Sequence, residues 1–327
     1  MTTAVRAGAV DRCPGALSLH EAADGPLARI RLPGGRIRGD QLAALAALAA
    51  DGTLELTSRA NLQIRGVRDP AGIAAAVADL GLLPSPTHEL VRNIVAAPDA
   101  DYDAAILALD RALCARGDLA ALPGRWLFAV GPDPDADVSI VPAARSEELG
   151  AVYAGGQVRR TTDPLGAALD VAARFLQVRG TAWRLRELPD PAAVLDGEPA
   201  APPAALPLPD GLQVPLGRLT GAMVAALVAD EPHDLLVFTR DRTVITRRPR
   251  TESSLAIAGL IVDPQSPWKG VTACAGAPRC ASAHADTAAL AQTYISTHPD
   301  HGRVHVTGCA RRCGTPSTPH VAVIADL

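Results

Sequence analysis

The chain repeats itself, and this duplication is the feature that most limits how it can fold. The motif Pro-x-Gly-Arg occurs at residues 33–36 and again 182 residues later at 215–218. Apolar residues follow each motif at the i, i+3 and i+4 spacing of a helix: Leu42, Leu45 and Ala46, then Val224, Leu227 and Val228. Alanine-rich helices can match by chance, but several aligned apolar positions together with a shared Gly-Arg favour a duplication.

Each copy predicts a short strand, a turn, an amphipathic helix and two further strands, which is typical of a ferredoxin-like half unit. A second type of segment follows each copy. After the first copy, the patterns predict helices over 101–116 and 165–178 and strands over 126–130 and 137–141. After the second copy, they predict a helix over 286–297 and strands over 255–262, 303–307 and 320–325.

The chain is therefore expected to be an α+β protein with pseudo-two-fold symmetry. Two ferredoxin-like half domains alternate with two α/β domains. The clearest linker is the Pro- and Ala-rich stretch between residues 189 and 209. The expected division is half domain 1 at 13–85, α/β domain 1 at 86–190, a linker at 191–209, half domain 2 at 210–250 and α/β domain 2 at 251–327.

Composition excludes several classes of function. The net charge is −4 and aromatic residues make up only 3% of the chain, so neither nucleic acid nor an anionic membrane surface is an expected partner. No run of about 18 apolar residues is long enough to span a bilayer. Charged residues interrupt the first 30 positions and leave no signal-peptide core, so we expect a cytoplasmic protein.

Four of the six cysteines form two pairs near the end of the chain. Cys274 and Cys280 are separated by five residues, and Cys309 and Cys313 by three. Zinc ribbons and fingers favour two-residue gaps, so this spacing suits zinc poorly. A [4Fe–4S] cluster needs four thiolates, and Gly276 would let the backbone approach its sulfides. The cysteines therefore favour a cluster over zinc and over four unliganded buried thiols.

These cysteine spacings resemble the cluster signature of the sirohaem-dependent nitrite and sulfite reductases. Two other segments resemble the same superfamily, residues 56–63 (LTSRANLQ) and 92–95 (RNIV). The resemblance extends from about Cys13 to the end of the chain. It implies a duplicated fold in which arginines hold the carboxylates of a tetrapyrrole through bidentate hydrogen bonds. The tetrapyrrole-binding residues implied are Arg59, Asn61, Gln63, Arg92, Asn93, Arg125, Arg311 and Arg312.

Within the superfamily, the chain resembles the precorrin-3B synthase family. The matching segments are residues 13–17 (CPGAL), 24–29 (DGPLAR), 32–36 (LPGGR), 280–283 (CASA) and 308–310 (GCA). This resemblance implies an oxygen-dependent monooxygenase of aerobic cobalamin biosynthesis. Its reaction converts precorrin-3A to precorrin-3B by hydroxylating C20 and closing a γ-lactone. The catalytic residues themselves are not indicated.

The resemblance also implies cofactors and partners. Beside the [4Fe–4S] cluster, the family is thought to use a mononuclear non-haem iron. His284, His305 and His320 are conceivable ligands, although an ordinary core or surface role fits each of them better. The chain has no Gly-x-Gly-x-x-Gly or P-loop pattern, so its electrons should come from an external NAD(P)H-dependent reductase or ferredoxin.

One position separates this interpretation from oxyanion reduction. Reductases of nitrite and sulfite carry two lysines, one residue apart, where this chain has Arg125 and Leu127. Leucine cannot relay protons and arginine is a poor donor. The alternatives are a small sirohaem-dependent nitrite or sulfite reductase, and a non-catalytic redox or tetrapyrrole-binding relative.

The chain also departs from the superfamily pattern near its end. Arg311 and Arg312 fill the gap between the last two cysteines, where small residues and one lysine are more usual. Relatives usually continue through further strands, so we expect a shortened final sheet.

Overall fold

The structure, a computed structural model, describes residues 11, 13–98, 100–143, 148–204, 209–316 and 319–325. These residues form two compact units. The first contains the residues up to Ser18 together with Ile30–Gly35 and Ala74–Pro209, and the second contains Leu19–Arg29, Arg36–Ile73 and the residues from Asp210 onward. Residues 205–208 of the predicted linker and the last two residues of the predicted second α/β domain lie outside the described residues.

The described part of the chain contains short strands and helices in a mixed α+β order. The strands are β1 His20–Ala22, β2 Gly25–Ile30, β3 Arg36–Arg38, β4 Leu54–Leu56, β5 Leu62–Ile64, β6 Ile94–Ala96, β7 Phe128–Val130, β8 Val138–Val141, β9 Gly150–Ala154, β10 Gln157–Thr161, β11 Glu198–Pro199, β12 Leu212–Gln213, β13 Arg218–Leu219, β14 Leu235–Phe238, β15 Thr243–Thr246, β16 Val271–Ala273, β17 Val304–Thr307 and β18 Val321–Ile324. The helices are α1 Gly39–Leu48, α2 Pro70–Asp79, α3 Asp103–Ala115, α4 Pro164–Val178, α5 Gly221–Val228, α6 Glu252–Ile257 and α7 Thr287–Thr297. None of the described helices is long and apolar enough to cross a membrane.

The two copies of the duplicated segment are built alike and exchange one strand. The first copy is β3, α1, β4 and β5, and the second is β13, α5, β14 and β15. β3 pairs with β14, which puts Arg36 opposite Val237, while β13 pairs with β4, which puts Arg218 opposite Glu55. Both partners in one pair lie 182 residues from their counterparts in the other. This reciprocal pairing, together with the packing of α1 against α5, confirms the predicted pseudo-two-fold duplication.

The turns at the tips of the two copies also match. Ala60 lies between β4 and β5 with a φ of 57°, and Arg242 lies between β14 and β15 with a φ of 60°. The backbone N–H of Ala60 donates to the carbonyl of Thr57, and that of Arg242 donates to the carbonyl of Thr239, both at 3.1 Å. A left-handed conformation is unfavourable for a residue with a side chain. Its presence at equivalent positions shows that the turn geometry was duplicated with the strands.

Two sheets of the second unit contain these copies. The first has the order β1-β2-β5-β4-β13, and the second has the order β12-β15-β14-β3. A third sheet of this unit, β16-β17-β18, is entirely parallel. α7 covers one face of it, where Val271, Val304 and Val306 pack with Ala291 and Ile295.

The first unit is a six-stranded mixed sheet of order β11-β10-β9-β8-β7-β6, packed against α3 and α4. Trp126, Phe128 and Phe175 form the aromatic centre of its core, and all three are fully buried. The helices and strands predicted for this region over 101–178 are confirmed, whereas β9 and β10 are additional. The first residues of the predicted linker also belong to the sheet, because β11 pairs with β10.

One predicted strand is wrong. Residues 255–262 were expected to form a strand, but the structure has the helix α6 (Glu252–Ile257) there. The helix ends where Gly259 adopts a φ of 101°, and the N–H of Leu260 then bonds to the carbonyl of Leu255 at 3.0 Å. A short continuous apolar run does not distinguish a buried strand from a helix by itself. Here the glycine terminates a helix rather than bounding a strand.

Candidate metal and tetrapyrrole site

The two cysteine pairs follow neighbouring parallel strands. Cys274 comes directly after β16, and Cys309 comes two residues after β17. β16 and β17 pair in parallel, so their carboxyl ends lie at the same edge of the sheet. The rest of each pair follows within a short loop, which contains Cys280 in one case and Cys313 in the other. The topology therefore brings both loops to one edge.

Hydrogen bonds join the two loops at this edge. The N–H of Cys274 donates to the carbonyl of Val306 at 3.0 Å, and the N–H of His284 donates to the carbonyl of Gly308 at 2.8 Å. The N–H of Gly308 also donates to the sulfur of Cys274 at 3.3 Å. A backbone amide aimed at a thiolate is a common means of stabilising the negative charge of a metal-bound sulfur.

The thiols are close enough to influence one another electrostatically. Burial raises the pKa of the Cys313 thiol, and the negative charges of Cys274, Cys309 and Cys280 raise it further. Charge effects of this kind operate over a few ångströms. Cys313 is at the surface of the protein, whereas the other three cysteines are half-buried.

The donor set and its surroundings fit a [4Fe–4S] cluster. Within the described ranges, no group of three or more His, Cys, Asp or Glu side chains could hold a single metal ion. A cluster places its ligand sulfurs farther apart than one ion does, because each thiolate binds a different iron. Thr307, which ends β17 beside the second loop, is 2% exposed, and its hydroxyl has no hydrogen-bond partner. A buried unpaired hydroxyl is costly, and a cluster sulfide is an acceptor that would satisfy it. The ligand assignment remains a prediction.

Gly276 is required by the geometry of the first cysteine loop. Its φ is 67°, and a Cβ at this position would lie 2.4 Å from the hydroxyl oxygen of Thr287. We expect Gly276→Ala to destabilise the protein by about 1–3 kcal/mol, measured as the free energy of unfolding. Gly302→Ala is the matched control, because Gly302 has a φ of 64° with open space around its Cβ position. Equal losses in the two variants would show that the close approach to Thr287 is not important.

The structure gives the candidate iron-binding histidines other partners. The Nδ1 atom of His305 lies 2.8 Å from the hydroxyl of Thr272, and its Nε2 atom lies 3.0 Å from the carbonyl oxygen of Cys313. Both ring nitrogens are therefore engaged, so His305 as placed is not available as an iron ligand. His320 lies edge-to-face with His305 at a centroid distance of 6.1 Å, and His284 is exposed. These positions match the ordinary structural roles that the sequence favours.

The residues of the 56–63 motif form the turn between β4 and β5 and the start of β5. Arg59 is half-buried in the turn, as predicted, and its N–H donates to the hydroxyl of Thr57 at 3.3 Å. Asn61 is 2% exposed. Gln63 lies on β5, where its amide oxygen accepts from Arg29 at 3.0 Å and its amide nitrogen lies 3.4 Å from Glu55. Gln63 therefore belongs to a polar network within its own sheet.

Arg92 and Asn93 lie inside the first unit. The guanidinium of Arg92 is 4% exposed, pairs with both oxygens of Asp110 at 2.7 and 2.8 Å and donates to the carbonyl of Leu82. The side chain of Asn93 donates to the carbonyls of Leu90 and Gly124, both at 2.9 Å. The structure uses both residues to hold the fold together. Motif resemblance could not reveal this, because Asp110 is 18 residues away on α3.

The three remaining candidate arginines are exposed. Arg125 lies in the first unit, two residues before the fully buried Leu127. Arg311 and Arg312 lie in the loop between Cys309 and Cys313, where Arg312 adopts a φ of 50°. The candidates are thus distributed over both units: Arg92, Asn93 and Arg125 in the first, and Arg59, Asn61, Gln63, Arg311 and Arg312 in the second.

The sequence analysis missed a group of charged residues beside the first cysteine loop. Glu55 on β4 accepts a hydrogen bond from Arg65 at 2.8 Å and lies 3.5 Å from the guanidinium of Arg279. Arg218 lies opposite Glu55 on β13. Burial lowers the pKa of the Arg218 guanidinium from its ordinary value, and the Glu55 carboxylate opposes that shift. The Gly-Arg repeated in both copies is the one sequence signal that singles out Arg218.

Comparison with known proteins supports the fold. Residues 20–78 match the family model of the nitrite/sulfite reductase ferredoxin-like half domain. Among solved structures, the chain is similar to the NirA protein of Mycobacterium tuberculosis, with a TM-score of 0.66 and 19% identity over 88% of this chain and 69% of that chain. Comparison with curated proteins finds no match. The chain thus has the fold of the nitrite/sulfite reductases, and its residues 20–78 are a ferredoxin-like half domain of that type.

Proposed function

We propose that the chain is an oxidoreductase that carries a [4Fe–4S] cluster on Cys274, Cys280, Cys309 and Cys313. The observation that carries this proposal is the arrangement of the four thiols, which follow two adjacent parallel strands in a nitrite/sulfite reductase-like fold. When bound, a cluster of this type supplies electrons one at a time. The polypeptide itself would fix the thiolates, donate the Gly308 amide to one sulfur and keep that side of the sheet packed.

Within this class, we propose an oxygen-dependent monooxygenase of the precorrin-3B synthase type, acting on a tetrapyrrole such as precorrin-3A. One oxygen atom of dioxygen enters the substrate at C20. The other leaves as water, with two electrons and two protons supplied through an external NAD(P)H-dependent donor. A ring-A acetate then closes the γ-lactone. A mononuclear iron for oxygen activation remains part of this proposal without assigned ligands.

Exposed arginines would bind the substrate, because a tetrapyrrole of this class has a rim of carboxylates. Arg311 and Arg312 lie next to the proposed cluster ligands, and Arg59 lies in a turn where a side chain can project outward. A planar guanidinium can form two parallel hydrogen bonds with one carboxylate. Arg92 is not part of this proposal, because its guanidinium is already paired with Asp110.

The second candidate is a sirohaem-dependent nitrite or sulfite reductase, and the match of residues 20–78 to that half-domain type favours it. Arg125 and Leu127 argue against it, because six-electron reduction of these oxyanions consumes protons that neither side chain can relay well. Leu127 is 1% exposed, so it could not act at a surface in any case. The absorption spectrum of the purified protein distinguishes the two, since only sirohaem gives a Soret band.

Incubation of the reconstituted protein with precorrin-3A, a reductant and ¹⁸O₂ tests the proposed reaction. We expect the product to gain the mass of one ¹⁸O atom, measured by mass spectrometry. The same incubation without oxygen is the control and should leave the substrate mass unchanged. A cluster-loaded protein that binds precorrin-3A without any oxygen incorporation would favour the non-catalytic relative instead.

A further inference from the structure

The start of the first cysteine loop is held by a side chain that is not itself a candidate ligand. One terminal nitrogen of Arg218 donates to the carbonyl of Cys274 at 3.0 Å and to the carbonyl of Ala275 at 2.7 Å. The same nitrogen lies 3.0 Å from the hydroxyl oxygen of Thr287. That hydroxyl in turn donates to the carbonyl of Cys274 at 3.0 Å. The backbone of the first proposed ligand is therefore fixed by two side chains from different parts of the chain.

Both of these side chains are themselves held in place. Thr287 is the first residue of α7 and is fully buried. Arg218 begins β13, where strand pairing places it opposite Glu55. Carbonyl oxygens held in this way cannot rotate without breaking several hydrogen bonds at once.

The end of the same loop is tied to the same sheet. Arg279, which precedes Cys280, forms ion pairs with Asp51 and, at 3.5 Å, with Glu55. Glu55 is 14% exposed in its side chain and also accepts from Arg65. The loop thus contacts the ferredoxin-like sheet at both ends, through Arg218 at its start and through Arg279 at its end.

We propose that Arg218 is a positioning residue for the iron–sulfur cluster: it holds the Cys274 backbone in the conformation in which its thiolate binds iron. Its permanent positive charge beside Cys274 also stabilises the reduced cluster, which carries one more negative charge than the oxidised form. The inference rests on the cluster assignment proposed above. It gives the Gly-Arg of the second copy a function at the cluster rather than in binding substrate carboxylates.

The test compares two substitutions of Arg218 with a matched control. Arg218→Gln removes the charge and the guanidinium fork, whereas Arg218→Lys keeps the charge but cannot span two carbonyls and a hydroxyl. Arg65→Gln is the control, because Arg65 also contacts Glu55 but its partners are Glu55 and Asp24 rather than the cysteine loop. Each protein is reconstituted anaerobically, and the loss of cluster absorbance is followed in excess iron chelator.

We expect Arg218→Gln to lose its cluster roughly 10-fold faster than the wild-type protein or more, as is usual when a residue supporting a metal ligand is removed. Arg218→Lys should be intermediate, and Arg65→Gln should lose its cluster at the wild-type rate. The reduction potential gives a second readout. It should become more negative in Arg218→Gln and change little in Arg218→Lys, which a purely structural role would not explain.

Thr287→Val keeps the inference testable if Arg218→Gln does not fold, because it removes only the hydroxyl that links Arg218 to Cys274. This variant should also lose its cluster faster than the wild-type protein. Wild-type cluster retention in both Arg218→Gln and Thr287→Val would overturn the inference while leaving the proposed function intact. Equally fast loss in Arg65→Gln would overturn it as well. A wild-type protein that takes up no cluster would overturn both proposals together.

Discussion

Cys309→Ser is expected to abolish the visible absorbance of the reconstituted protein and its oxygen-incorporating activity together. A serine hydroxyl is a much poorer ligand for cluster iron than a thiolate, and each iron depends on its own cysteine. Cys309 follows β17 at the edge where both cysteine loops meet, so no other described cysteine outside the proposed set of four belongs to these loops. The measurements are iron and acid-labile sulfide per chain, together with the electron paramagnetic resonance of the reduced protein.

Cys114→Ser is the matched control for that result. Cys114 lies on α3 in the first unit, where burial raises the pKa of its thiol and keeps it in the neutral form. A neutral, half-buried thiol of this kind has a packing role, so its replacement should leave the cluster content unchanged. Full cluster absorbance in Cys309→Ser would show that the ligand assignment is wrong. Loss of the cluster in Cys114→Ser would point to the same conclusion.

Arg92→Met is expected to lower the free energy of unfolding by about 3–5 kcal/mol, because it leaves the Asp110 carboxylate without its buried partner. The pair is nearly inaccessible, with side-chain exposures of 4% for Arg92 and 12% for Asp110. The double variant Arg92→Met/Asp110→Asn should recover part of the loss, since it removes the uncompensated charge as well. Chemical denaturation, followed by circular dichroism, measures all of these values.

An exposed ion pair provides the comparison for Arg92→Met. Arg248 pairs with Glu231 at 2.7 Å, with side-chain exposures of 62% and 37%. Surface pairs contribute only about 0–1 kcal/mol, so Arg248→Met should change stability little. If Arg92→Met proved as stable as Arg248→Met but bound tetrapyrrole weakly, Arg92 would be a substrate ligand, as the motif resemblance implies.

The duplicated half domains could be predicted from sequence because each copy is specified locally. The shared Gly-Arg, the helical spacing of Leu42 and Leu45 and the alternation in the strands are all short-range patterns. Their reciprocal pairing could also be expected, since two related half units can combine about a pseudo-two-fold axis. The placement of both cysteine pairs at one sheet edge follows from parallel pairing, which is a property of topology rather than of any single residue.

Partners that are distant in sequence could not be predicted in this way. Arg92 matches a ligand motif, yet its role depends on Asp110, which the motif does not include. Arg218 acts on a loop that starts 56 residues later, and only the folded sheet brings the two together. The strand expected at 255–262 failed for a different reason, because the apolar run is compatible with either structure and Gly259 decides the outcome through its left-handed conformation.

The most direct test of the account is the metal content of the wild-type protein after anaerobic reconstitution with iron and sulfide. The account predicts four irons and four sulfides per chain, the composition of one [4Fe–4S] cluster, with a reduced-state paramagnetic signal that is absent from Cys309→Ser. Zinc bound in place of iron, or iron without sulfide, would contradict it.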